Sequence, residues 1–561
     1  MMNENWRLIL ALFLTMFVML TWNYFYTPDQ EEITRNKTGT TAEKEVKQSR
    51  QSQASKDKGQ TSKAPDDKIE TSEVSKNGEL QDKPRAKGDT PTFVSKGEEK
   101  IKVETPLYKA VFNSQGGIVE HFWLKNYSET VKNDEPIDLI TEKSLKKAPL
   151  GLIWDYKATW KNAEWTVEGR DLRLGKNERD NIVFRGKLDG VTIVRKMTFQ
   201  GDSYEIQEQT KFLNPTENRV TSPVAYSVAS ANLVSNERRF NTTEVSYLLD
   251  QSVEQYSDKE TLGTGVKTDK PVKWAGIEST YFILATIPTH ENMYFKGTFD
   301  DKIYRAALQK NVSIKPDSSE ELASSYYMGP KDKKYLDKAP NELILSLNYG
   351  YLDIIAKPLM AVLKYFYGFV GNYGVAIILL TIVIKIIFWP LSQKSYKSME
   401  QMKKLQPMMQ KIKEQYKDDR QKMNQELMNL YKTYKVNPAG GCLPMLLQIP
   451  VFIGLYEALL GSIELRHAAF ISHFPFTNVV WLADLAAKDP YYITPVLMGL
   501  SMFLQQKMSP TAGDPTQAKI MMIMPVFLTF IFLNFPAGLV VYFITNNLLS
   551  MFQQWLMLRK A

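Results

Sequence analysis

The segment TIVIKIIFWP, residues 381–390, sets one ammonium group, Lys385, between Ile384 and Ile386 inside a long apolar run. A charge there costs about 2.5 kcal/mol or more even on lenient insertion scales. Taken alone, the residue has two readings. It lies close to a basic loop, so it can snorkel to the membrane surface. Alternatively it lines a wet cavity, stays charged, and attracts acidic or polar peptide segments. Polar residues in the neighbouring apolar segments favour the cavity. Thr381 lies one turn away on the same helical face. Gln448, the pair Gln505 and Gln506, and the run Thr545, Asn546 and Asn547 fall in the inner halves of three further segments. Each alone is an ordinary helix–helix hydrogen bond. Together they bring polar groups from four spans to one level, with Glu457 the exception on the outer side. A half-channel open inward and closed outward follows.

Other chemistries lack their residues. The four histidines are His121, His290, His467 and His473, and the one cysteine is Cys442. No HExxH pair or Cys/His cluster offers metal spacing, and no internal disulfide can form. Phosphate-binding and dinucleotide loops and a GxSxG elbow are missing too. No apolar segment contains a histidine, which removes an intramembrane Ser/His dyad. The chain therefore reads as no enzyme and as needing no cofactor. Its net charge of +8 over 561 residues is too small to suggest nucleic-acid binding.

These groups need elements to position them. Residues 1–26 hold an uncharged stretch from Leu8 to Tyr26 that ends in Trp22, Tyr24, Phe25 and Tyr26 and has no small-x-small cleavage site. This favours a signal-anchor span over a cleaved signal. Residues 27–100 are polar and charged, and predict a disordered tether. Over 101–349, short runs such as YKAVF and GVTIVRKMTF are punctuated by NSQGG, LDG and QGD, and predict a large all-β sandwich. An all-β sugar-handling enzyme is conceivable there, but no convergent acid/base set supports it. At 350–371, Ile355, Leu359, Val362, Leu363 and Phe366 recur at helical spacing and predict an amphipathic helix in the membrane interface.

Five further apolar spans are predicted, at 372–391 and, within 442–561, at 442–461, 491–507, 519–535 and 538–556. With the N-terminal anchor they give a six-span helical bundle with a five-span core. Pro444, Pro450, Pro495 and Pro525 fall inside these segments and need neighbouring groups to satisfy the freed carbonyls. Between the second and third spans, 392–441 carries eleven Lys/Arg and five Asp/Glu, whereas 461–490 carries two and three. The positive-inside rule places the basic loop and both termini in the cytoplasm and the β domain in the periplasm. Within that loop, Met399, Met402, Leu405, Met409, Ile412 and Tyr416, then Met423, Leu427, Leu430 and Tyr434, predict an antiparallel helical hairpin. Its methionines either fill their own seam or offer an adaptable surface.

The strings GNYGVAIILLTIVIK, NPAGGCLPMLLQIPVFIGLY, DPYYITPVLMG, QQKMSP and FPAGLVVYFITNN resemble the YidC/Oxa/Alb family of membrane protein insertases. The likeness covers about 350–558, and the N-terminal layout is similar to the Gram-negative type. It implies an inner-membrane protein whose periplasmic domain is a β super-sandwich. A hydrophilic groove open to the cytoplasm and lipid would receive the polar segment of a nascent membrane protein. Lys385 matches the groove charge, often arginine in the family. Thr381, Phe452, Met498, Met502, Tyr542 and Phe543 match positions lining the substrate path. With them, Gln448, Gln505 and Asn546 complete the candidate site. The implied partners are nascent membrane proteins, the Sec translocon, the lipid bilayer and, through the hairpin, the ribosome or targeting machinery. The alternative is a secondary transporter, but that predicts internal repeats and midplane carboxylates, whereas the spans hold one acid, Glu457.

Overall fold

Arg179–Leu188 and Val191–Gln200 bury every second side chain, as a period-two pattern with one core face requires. They pair antiparallel, and Leu188 opposite Val191 leaves Asp189 and Gly190 as the two-residue turn. Both turn residues have positive φ, 48° and 80°, the geometry that favours Asp-Gly in tight hairpins. The computed structural model describes residues 99–560, apart from 132, 146, 234–242, 290–291, 435, 437–442, 478 and 509–514. The predicted N-terminal span and nearly all of the tether lie outside the described residues, as do His290 and Cys442.

The strands from Lys100 to Pro330 form sheets of five, nine and six strands. The domain is an all-β sandwich, as expected. At the middle of the nine-stranded sheet, Trp274–Glu278 and Phe282–Pro288 are buried at every position. Both of their faces are covered, so they show no apolar–polar alternation.

Among the described residues, two buried ion pairs lie inside this domain. The inward row of Val191–Gln200 includes Arg195, and that of Glu205–Asn214 includes Glu208. Arg195 donates to both Glu208 oxygens, at 2.8 and 2.7 Å, and also to the Gly116 carbonyl. Thr210 donates to Glu208 Oε1 at 2.6 Å. In the second pair, Lys331 meets Glu278 at 2.7 Å, and Gln255 bridges Glu278 and Glu244 at 2.9 and 3.0 Å.

Burial, and then the Glu278 carboxylate, push the Glu244 carboxyl up to about 8, against the opposing pull of Lys331. A raised carboxyl binds its proton more tightly folded than unfolded. Its contribution is full below the ordinary carboxylate range and is lost as pH rises toward 8. Thermal unfolding of the full chain is expected at lower temperature at pH 8 than at pH 5. Glu244→Gln should reduce that slope, and equal slopes in both proteins would contradict the assignment.

Among the described residues beyond the sheets are seven longer helices: α1 (Asp353–Val370), α2 (Tyr373–Gln415), α3 (Arg420–Thr433), α4 (Leu443–Gly461), α5 (Ile493–Met508), α6 (Pro515–Phe532) and α7 (Ala537–Lys560). Among the described residues, α2 alone is both long and apolar enough to cross a bilayer by length and composition. In α1, Ala356, Met360 and Leu363 are buried, while Val362, of the predicted apolar face, is exposed. Glycine at 454 lets α4 approach α1, because a Cβ there would lie 2.9 Å from Ile355 Cγ2. Arg466, beyond α4, donates to the Glu129 carbonyl at 3.1 Å and so ties the helical part to the β domain.

The sequence suggests a break near residue 391, but α2 runs unbroken for 43 residues through Pro390 and Pro407. Both prolines are exposed, so their rings point away from the packed neighbours. The far end of α2 pairs with α3. Met402, Leu405 and Met409 are buried against Leu427, Leu430 and Tyr431. These methionines fill the hairpin's own seam, while Met408 and Met428 are exposed.

Candidate functional site

The apolar positions of α2 set the direction of its lysine. Ile377, Leu380, Thr381 and Ile384 recur at three- and four-residue steps and are buried, whereas Ile386 and Ile387 are exposed. Lys385 falls between these faces and is half-buried. The start of α2 is fixed by Asn372, whose side chain accepts from the Val375 amide at 3.1 Å and donates to the Phe470 carbonyl at 3.0 Å. Gly374 admits the Phe470 ring, which a Cβ would meet at 2.0 Å.

Lys385 Nζ donates to Ser550 Oγ on α7 at 2.7 Å. The Ser550 hydroxyl in turn donates to the Asn546 carbonyl at 2.7 Å. One turn back, the Asn546 side-chain oxygen accepts from Gln448 Nε2 of α4 at 2.8 Å. The same Gln448 nitrogen lies 3.2 Å from the Tyr542 hydroxyl. Helices α2, α4 and α7 are thus joined by one chain of polar contacts. Among the described residues no carboxylate lies within ion-pair distance of Lys385.

Among the described residues, the side-chain hydrogen bonds of Thr381, Thr545 and Asn547 lead elsewhere. The Thr381 and Thr545 hydroxyls are buried and bond back to their own helices, to Ile377 O at 2.6 Å and Val541 O at 2.8 Å. Asn547 turns to α5 and donates to Ser501 at 2.9 Å, and Ser501 donates to the Met498 carbonyl. Gln505 and Gln506 are half-buried on α5.

The positions expected to line a path divide by exposure. Thr381, Met498 and Tyr542 are fully buried. Phe452, Met502 and Phe543 are half-buried. Phe543 packs edge-on against Phe452 at 5.0 Å and Phe532 at 4.9 Å between ring centres. Sequence reasoning missed Ser550 and Ser501. The available signal for Ser550 was its place four residues after Asn546, on the same face of one helix.

Glu457 of α4 has a structural partner. Its carboxylate accepts from the backbone amides of Tyr351 at 3.1 Å and Leu352 at 2.9 Å, just before α1. It closes the exposed amides at that helix start and favours the positive end of the helix dipole. Gly350, with φ of 109°, lets the chain turn over it.

Two family profiles match the chain: "60Kd inner membrane protein" over residues 365–561 and "YidC periplasmic domain" over residues 100–362. A protein named membrane protein insertase YidC from Maridesulfovibrio salexigens is 47% identical over 560 residues, spanning 100% of this chain and 99% of its own length. One of the same name from Geobacter sulfurreducens is 40% identical over 460 residues, 81% of this chain and 85% of its own. A solved structure described as an active YidC insertase with the first transmembrane domain resolved covers 83% of this chain and 94% of that one, at 18% identity. Its TM-score is 0.34, a value at which the overlay carries no weight. With both profiles and full-length relatives in agreement, the chain belongs to the YidC family of membrane protein insertases.

Proposed function

We propose that this chain inserts membrane proteins into the inner membrane and assists their folding, alone or with the Sec translocon, without catalysis or a cofactor. The observation that carries the reading is the polar chain from Lys385 through Ser550 and Asn546 to Gln448 and Tyr542. It provides a cation and hydrogen-bonding groups inside an otherwise apolar bundle. The lysine and its neighbours form the floor of a hydrophilic groove open to the cytoplasm, which accepts the polar flank of a nascent segment. The segment's apolar span slides past Phe452, Met502 and Phe543 into lipid. At about 0.8 kcal/mol per buried methylene, that transfer supplies the drive without ATP.

The remaining assignments rest on the apolar segments, the loop charges and the family resemblance. Six spans, counting the N-terminal anchor, place both termini inside and the β domain in the periplasm. Helix α1 lies at the outer membrane surface, with Ile354, Tyr365 and Phe369 exposed on the side away from α4. The basic hairpin of α2 and α3 receives the ribosome or targeting machinery. A transporter reading weakens, because the one acid within the predicted spans is engaged in holding a helix start.

The test is crosslinking. A photoreactive residue at Phe543 of the full chain is expected to form adducts with a stalled single-span nascent protein bearing an acidic flank. Adducts with small solutes and none with nascent chains would favour transport.

A further inference from the structure

We infer that Ser550 is a positioning residue for Lys385: it aims the ammonium across the bundle, and so selects for carboxylate-bearing segments. The inference rests on the reading of Lys385 as the charge of the groove. An ammonium has donors only, so its partner must accept. A serine hydroxyl can do either. Here its proton is committed to the Asn546 carbonyl, one turn back on α7, at 2.7 Å. Its oxygen therefore presents lone pairs to Lys385 Nζ, also at 2.7 Å. Ser550 is 3% exposed, so water competes poorly for that oxygen.

The lysine stem is flexible and can turn back along its own helix toward the membrane surface. The contact to Ser550 holds it toward α7 instead. It uses one of three N–H donors and leaves two for an incoming group. The acceptor of the Ser550 proton is a backbone carbonyl, fixed by the helix of α7, so it does not drift. A hydroxyl suits the single-point donor of a lysine. It cannot match the planar fork of an arginine, which prefers two parallel acceptors.

The experiment uses full-length chains reconstituted in liposomes. Two substrates differ only in carrying carboxylates or their amides in the translocated flank. Ser550→Ala is expected to lower insertion of the acidic substrate about tenfold, the effect of losing one charge-assisted hydrogen bond, and to lower insertion of the amide substrate far less. Ser550→Thr keeps the hydroxyl and should restore insertion. In a Lys385→Met background, adding Ser550→Ala should cause no further loss. Equal loss for both substrates, no loss for the acidic one, failure of the threonine to rescue, or additive loss in the double variant would each overturn the inference. Normal insertion of the acidic substrate by Lys385→Met alone would instead overturn the underlying reading of the lysine.

Discussion

A Lys385→Glu chain is expected to insert substrates with acidic flanks at least tenfold less efficiently, while Lys385→Arg keeps most of the activity. The magnitude follows from the setting. The cation lies in an apolar bundle, where charge interactions are stronger than in water. Reversing its sign replaces attraction for an entering carboxylate with repulsion. Local geometry adds a second loss. The Ser550 hydroxyl donates to Asn546 O, so a carboxylate at 385 would face lone pairs unless the serine turned round and abandoned that carbonyl. Arginine preserves the sign, though its fork meets a single acceptor. Insertion assays with acidic and neutral flanks separate the cases, because the neutral substrate should be affected far less. Normal insertion of acidic substrates by the Lys385→Glu protein would falsify the charge argument.

The second large effect belongs to the β domain. Arg195→Met is expected to destabilise it by about 3–5 kcal/mol, the range found when one partner of a buried pair is removed. The arginine and Glu208 side chains are 1% and 0% exposed, so the stranded carboxylate could not reach water. For a domain of this size that is a fall in melting temperature of roughly 10 °C. Arg195→Met combined with Glu208→Leu should recover most of it, since a well-packed apolar pair removes the uncompensated charge. Circular dichroism melts of the full chain read both variants. If the double variant were as unstable as the single one, the loss would come from packing and from the Gly116 carbonyl contact rather than from unpaired charge.

Local pattern explains what was legible beforehand. Alternation in GVTIVRKMTF and the Asp189–Gly190 turn announce a hairpin because both signals lie within a few residues. WAGIE and FILATIP carry no alternation, since each is covered on both faces, and their place in the sheet follows only from long-range pairing. The end of the apolar run and the basic loop after it suggest a boundary near residue 391, yet hydropathy marks where a span leaves the membrane and not where its helix stops, and α2 continues to Gln415.

The site divides in the same way. Lys385 stands out in any apolar run, but its partner lies 165 residues away on α7. Thr381 and Thr545 look like cavity residues by composition. Their hydroxyls bond carbonyls four residues back, a local solution that composition does not reveal. Glu457 looked like an outlier in the apolar spans and is a cap for α1, formed across more than a hundred residues of chain.

The central claim is that position 385 meets water from the inner side. With Cys442→Ser removing the one native cysteine, a Lys385→Cys chain can be treated with a charged, membrane-impermeant maleimide. Labelling is expected in inside-out membrane vesicles and not in right-side-out ones. A thiol that stays unmodified from both sides, while a cysteine in the α2–α3 hairpin reacts normally, would mean a dry or lipid-buried site and would contradict the groove.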